Sequence, residues 1–303
     1  MLVLTIWPLF ALICLGYLLS RRNWPDAAFW PAAERLNYFI LFPALLVSSL
    51  ADAPLRDPAI LRMGGAGLVT ISLAALAMWA VRRFVVPARP ARFGPALQGV
   101  IRFNTYVGLA VTAGLTGTAG LGQAAVYLAI AVPFVNVLSI MALSESTGLT
   151  AVPRMARSIL ANPLILACLA GIALSLTGIG LPWGTDRFLD LMGRASLPLG
   201  LLCVGAALRP AALRQDLAPL AVIGALRLVA MPFAAALIAR AAGLSGTEAL
   251  VLVVFSAIPV APTAYVLTRQ LGGDGTLMAG LVTSQTLAAV VTIPFVLRLL
   301  GQG

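Results

Sequence analysis

Between about Thr247 and Leu271 the chain runs apolar for longer than a bilayer is thick, and two prolines, Pro259 and Pro262, stand in the middle of that run. A segment of this length crosses a membrane as a helix, where every backbone N–H and C=O needs a partner inside the protein. Proline breaks that condition, because it has no N–H and its ring crowds the carbonyl four residues back. The carbonyls of Phe255 and Ile258 therefore lose their helical partners. Such a defect persists only where protein or a water-filled cavity surrounds it. One proline reads as a packing kink. Two of them, followed by Thr263 and Tyr265, read as an interrupted helix whose freed ends meet a ligand.

The rest of the chain fits the same setting. Of its 303 residues 61% are hydrophobic and only 10% charged, with a mean hydropathy of +1.01. Soluble domains carry roughly a quarter charged residues, so this is an all-α polytopic membrane protein. A net charge of +10 would point to nucleic acid in a soluble chain; here it reads as the cytoplasmic arginine excess of a membrane protein, and no nucleic-acid partner is expected. All 20 basic residues are Arg, and there is no His to shuttle protons or bind metal near neutral pH. Cys14, Cys168 and Cys203 lie in apolar runs without paired spacing and read as packing residues. No cofactor is expected.

Apolar runs separated by charged, Pro-rich or Gly-rich breaks predict ten spans, at about 2–19, 36–51, 63–81, 95–115, 122–143, 158–177, 188–208, 217–239, 247–268 and 276–298. The first reads as a retained helix, since no basic segment precedes it and no small-residue cleavage pattern follows. Among the connections, Arg21, Arg22, Arg35, Arg82, Arg83, Arg89, Arg92, Arg154, Arg157, Arg209, Arg214 and Arg269 fall on one side. Arg56, Arg62, Arg187, Arg240 and Arg298 fall on the other. The positive-inside rule then places both termini outside.

The chain also resembles itself. A shift of 155 residues lays Pro8-Leu9 on Pro163-Leu164, Gly16 on Gly171, Leu36 on Leu191, Pro43 on Pro198 and Asn104 on Pro259. Five spans per copy is an odd number, so the second copy, residues 151–303, enters the membrane upside down relative to the first, residues 1–150. Secondary transporters share this inverted repeat and bind their cargo near the midplane, where the copies meet. The same offset pairs the fourth span with the ninth. At a rise of 1.5 Å per residue Asn104 lies roughly 14 Å in from one face and Pro259 roughly 18 Å in from the other. Both are about halfway through a core of roughly 30 Å.

Two interrupted helices crossing there bring the N-termini of both second halves to the centre, where their dipoles favour an anion. The C-terminal carbonyls of the first halves call for a cation or a donor. The candidate substrate-binding residues are Asn104 and Tyr106 on the fourth span, Pro259, Pro262 and Thr263 on the ninth, Asn136 on the fifth, and Ser284 and Gln285 on the tenth. Arg102 and Arg227 join them as sources of positive potential. An ionised Arg227 in mid-span either faces the substrate path or satisfies backbone carbonyls; Arg102 is shallower and can reach the interface. Arg194 reads as structural, paired with Asp190 one turn earlier. Asp52, Asp186, Asp190, Glu145, Glu248 and Asp274 all fall at span ends or in loops, which argues against a carboxylate relay and for an electropositive site suited to a small anion. There is no catalytic set: no His, no G-x-S-x-G elbow and no clustered intramembrane acid.

Several stretches carry a resemblance. Leu15-Gly-Tyr-Leu-Leu-Ser-Arg-Arg22, Leu41-Phe-Pro-Ala-Leu-Leu-Val47, Arg102-Phe-Asn-Thr-Tyr-Val-Gly108, Leu226-Arg-Leu-Val-Ala-Met-Pro232, Ala257-Ile-Pro-Val-Ala-Pro-Thr263 and the segment from Gly272 to Thr286 resemble, in order, the auxin efflux carrier family in its bacterial branch. The resemblance implies ten helices in two inverted five-helix repeats, related in fold to bile acid sodium symporters. Spans one, two, six and seven would form a scaffold, and spans three, four, five, eight, nine and ten a transport domain whose broken fourth and ninth helices cross at the site. It makes Asn104 and Pro259 the crossover residues, and implies export or exchange of small organic anions such as auxins or malonate. Only Ser144 to Arg157 joins the halves, so the long regulatory loop of the plant carriers is missing.

The expected function is a secondary carrier moving a small organic anion by alternating access. A passive channel, or a membrane receptor that binds without transport, is the alternative. Expected partners are that anion and membrane lipid; a coupling ion, sodium or proton, and a homodimer are left open.

Overall fold

The computed structural model of the chain describes residues 2–51, 53, 57–85, 90–144 and 162–301. Arg56, Arg89, Asp52, Glu145, Arg154 and Arg157 of the tallies above, and most of the Ser144 to Arg157 junction, lie outside them. The described residues are helical, with no strand among them, and six helices are long and apolar enough to cross a membrane. This is a multi-pass membrane protein.

The chain opens with α1 (Leu2–Arg21), then α2 (Phe29–Leu36), which passes through a π-turn (Asn37–Leu41) straight into α3 (Phe42–Ala51). The second span is therefore longer than the predicted 36–51, beginning at Phe29. Next come α4 (Pro58–Val85), α5 (Pro90–Ile101) and, after a break at 102–104, α6 (Thr105–Ser144). Within α6 the backbone leaves helical geometry at Gly117, with φ 66° and ψ −152°, a combination open to glycine because it has no Cβ. That kink separates the predicted fourth and fifth spans without a loop.

The second half holds α7 (Pro163–Thr177), α8 (Thr185–Ala206), a 3₁₀ turn (Pro210–Arg214) and α9 (Leu217–Ala225), which runs through a π-turn (Leu226–Ala230) into α10 (Met231–Ala241). Then follow α11 (Gly246–Ala257), a break at 258–262, α12 (Thr263–Gln270) and α13 (Gly275–Leu299). By length, α7 and the halves of the broken spans fall short of a full crossing, so the helices do not by themselves number ten.

Both π-turns have one cause. Phe42 and Met231 each stand just before a proline, Pro43 and Pro232, and each sends its N–H five residues back, to Asn37 and Leu226. The proline ring would collide with the carbonyl four residues behind it, and the wider turn relieves that collision.

The two halves share several features. The helices before the breaks, Pro90–Ile101 and Gly246–Ala257, are twelve residues each. In the packing, α1 lies along α8 while α3 lies along α7. Exchanging the copies exchanges these two contacts, as a two-fold relation between them requires. Matched glycines sit at both. A Cβ on Gly16 would fall 2.0 Å from the Leu202 carbonyl oxygen on α8, and one on Gly171 would fall 2.6 Å from Leu50 Cβ on α3.

Close backbone approach of this kind tolerates no side chain. Gly16→Ala and Gly171→Ala should each lower stability by about 1–3 kcal/mol through overpacking. Gly224→Ala on α9, where nothing lies within 4 Å, should be neutral or stabilise by up to about 1 kcal/mol. Thermal unfolding of the detergent-solubilised variants measures the difference.

Candidate functional site

The two breaks touch. The Asn104 N–H, freed because the helix stops at Ile101, donates to the Pro259 carbonyl at 2.8 Å. Its side-chain oxygen accepts from the N–H groups of Tyr106 (3.1 Å) and Val107 (3.3 Å), capping the first turn of α6. The Asn104 amide nitrogen has no partner although the residue is 1% exposed.

Each break strands carbonyls as well. Phe255 and Ile258 would have been served by residues 259 and 262, both proline, and Val100 by Asn104, whose N–H has gone to Pro259. One guanidinium meets all three: Arg227 donates from Nη2 to Phe255 (2.6 Å), from Nε to Ile258 (2.7 Å) and from Nη1 to Val100 (3.1 Å). Only arginine carries enough donors, in a planar fork, to do this from one position. The π-turn at Leu226–Ala230 holds Arg227 in this interior place, 1% exposed.

Gln285 on α13 is the second bridge. Its nitrogen donates to the Gly99 carbonyl (2.9 Å), and its oxygen accepts from the Val260 N–H (3.0 Å). One amide thus serves the backbone of both breaks.

Beside the crossing lies a cavity of about 80 Å³, room for a few waters or a ligand of a few heavy atoms. Arg102, Asn104, Tyr106, Asn136, Pro262 and Thr263 line it, six of the residues singled out from sequence. The N-termini of α6 and α12 begin at Thr105 and Thr263 on its wall. Arg102 is partly buried there, with one long bond from Nη1 to Gln98 Oε1 at 3.4 Å and no carboxylate partner among the described residues.

The other four candidates stand elsewhere. Arg227 and Gln285 bind backbone groups and do not line this cavity; for Arg227 that is the carbonyl-satisfying role its mid-span position also allowed, and Gln285 borders the separate groove beside Ser284. Pro259 supplies a carbonyl to Asn104 and is likewise off the wall. Ser284 lies on a separate, mostly apolar groove with Leu217, Leu220 and Gly224. Arg194 pairs with Asp190 at 2.7 Å on the surface, as its spacing predicted.

Glu34, Tyr38, Asn162 and Cys203 also line the cavity and were missed as site residues. Glu34 is a carboxylate on this wall that was not among the six acids read as lying at span ends or in loops. It falls outside the predicted 36–51 span but inside the helix that begins at Phe29. The signal was present: Trp30, Glu34 and Tyr38 are spaced by four and so share one helix face. Asn162 stands before Pro163 as the cap of α7, its oxygen accepting from the Leu164 N–H at 2.9 Å.

Removing Arg227 should cost more than removing any residue on the cavity wall. Arg227→Met leaves three buried carbonyls without a donor and should destabilise by about 3–5 kcal/mol. Arg227→Lys keeps the charge but not the fork and should fall between. Arg102→Gln should stay within about 1 kcal/mol of wild type. Unfolding of purified protein in detergent ranks the three.

The comparisons agree with this architecture. The family model described as Membrane transport protein matches residues 1–297. An uncharacterized transporter of Methanothermobacter thermautotrophicus is 26% identical over 298 residues, covering 96% of this chain and 95% of that protein. The match is to transporters, not enzymes. The chain belongs to this membrane transport protein family, the auxin efflux carriers that its motifs resemble.

Proposed function

We propose that the protein is a secondary carrier that moves a small organic anion by alternating access through the cavity at the crossing. The observation that carries this reading is the set of groups on that wall: the N-termini of α6 and α12, and the Arg102 guanidinium free of any acidic partner among the described residues, with the buried Asn104 amide nitrogen, which has no partner among them, close behind. Donors, helix dipoles and a cation converge on one small space, which suits a carboxylate.

The proposed architecture is ten spans in two inverted copies, residues 1–150 and 151–303. Spans one, two, six and seven, which are α1, the α2–α3 unit, α7 and α8, form the scaffold. Spans three, four, five, eight, nine and ten form the transport domain. The packing supports this division, since α1, α3, α7 and α8 lie against one another, while α5, α6, α11, α12 and α13 surround the breaks. The cavity lies between the groups, with Glu34, Tyr38 and Cys203 from one and Arg102, Asn104, Asn136 and Thr263 from the other. Sliding one group past the other would carry the crossing from face to face without remaking the bonds of Arg227 and Gln285. Those two residues and all their partners lie within the proposed transport domain.

Proteoliposomes loaded with unlabelled lactate, malonate, succinate or indole-3-acetate and exposed to the labelled compound should show counterflow for at least one. Arg102→Gln should reduce that flux by about tenfold or more, the loss of one charge-assisted contact of roughly 1.5–3 kcal/mol. Asn104→Leu should abolish it. Conductance without counterflow would identify a pore, and binding without either a receptor.

A further inference from the structure

A second cavity, of about 280 Å³, lies next to the first and reaches the surface past the exposed Pro31, Arg209 and Val266. The two cavities share three wall residues: Glu34 from α2, Cys203 from α8 and Pro262 at the start of α12. These three form the neck between the surface and the crossing. Glu34 is the charged member. It is partly buried, and its carboxylate makes no hydrogen bond or ion pair with any described residue.

The ionisable groups facing this neck are Tyr38 on the same helix, Arg102 at the first break, Tyr106 on α6, Cys203 on α8, Arg209 after α8 and Tyr265 on α12. Arg209 is engaged with Tyr265, its guanidinium 4.8 Å from the ring centroid and Nη1 3.4 Å from the hydroxyl. Arg102 faces the inner cavity. Among the described residues no second acid lines either space.

We propose that Glu34 is the proton-coupling site of the carrier, an inference that rests on the anion-carrier reading above. A carboxylate passing the neck must come close to Glu34, and two carboxylates share a confined site only by sharing a proton. Glu34 therefore takes a proton from water in the outer cavity and stands neutral while the anion moves past it to Arg102 and Asn104. Glu34 stays on its own group while the crossing slides, and it releases the proton when that motion turns the neck to the opposite face and the anion has gone, so proton and anion cross together, one for one. A sodium ion would need several oxygen ligands, and the stranded carbonyls of Val100, Phe255 and Ile258 at the crossing are already taken by Arg227, whereas a proton needs one oxygen. Among the described residues no cluster of three acids or thiols could hold a metal.

The test uses full-length protein in proteoliposomes, with the membrane potential held at zero by valinomycin and equal potassium. Labelled lactate and malonate serve as probes. An inward gradient of one pH unit should raise accumulation up to about tenfold for one coupled proton. In Glu34→Gln the ratio of uptake with and without the gradient should fall to about one, while Glu34→Asp should retain part of it. A gradient response unchanged in Glu34→Gln, or stimulation that follows sodium instead of pH, overturns the proposal.

A second readout does not depend on flux. Infrared difference spectra across a pH step should show a protonated-carboxyl band that is absent in Glu34→Gln and displaced in Glu34→Asp. Should none of lactate, malonate, succinate and indole-3-acetate cross in wild type, the carrier reading fails by its own test and this band decides the role of Glu34. Its loss in Glu34→Gln supports a proton site, and its persistence unchanged overturns one.

Discussion

Three backbone carbonyls with no helical partner stand together at the centre of this protein, and a single guanidinium answers them all. Phe255 and Ile258 are stranded by Pro259 and Pro262, and Val100 by the diversion of the Asn104 N–H to Pro259. In a membrane interior no water replaces the lost donors. Arg227 binds each carbonyl at 3.1 Å or less. The charge that would be costly in hydrocarbon is thereby surrounded by the negative ends of two helices. The arrangement is reciprocal: broken helices need a buried donor with several arms, and a buried arginine needs several acceptors.

Everything around the crossing follows from keeping those breaks open. Proline at position 232 forces the preceding turn wide and so contributes to placing Arg227. Gln285 fastens Gly99 on one chain segment to Val260 on the other. The C-terminal ends of α5 and α11 are satisfied in this way by protein groups. The N-terminal ends of α6 and α12 face the cavity instead. The carbonyl side of the crossing is thus capped by protein donors, and the other side presents helix N-termini, which is an asymmetry suited to an anion.

The electrostatics of the cavity are not purely positive. Arg102 and the helix N-termini meet a carboxylate from the opposite group of helices, and Glu34 stands between the inner and outer spaces. A wholly cationic pocket would hold an anion without releasing it. In the mechanism we propose, an acid at the neck makes passage conditional on its protonation state.

Much of this was legible in the order of residues. Apolar length and the scarcity of charge require membrane helices, since no other backbone arrangement satisfies its own hydrogen bonds in lipid. The prolines at 259 and 262 name the two carbonyls that lose their partners, and the offset that sets Asn104 against Pro259 locates their meeting. What linear order could not decide is which distant side chain answers a local need. Arg227 lies 28 residues from Phe255 but 127 from Val100, and an arginine that repairs backbone reads in sequence like one that binds cargo. Glu34 was lost for a related reason. A helix that enters the protein before its apolar stretch begins carries polar residues inward, and only the packing of α2 against α8 turns that residue toward the cavity. Local chemistry determines where a helix must break; the tertiary structure alone decides what is brought to the break.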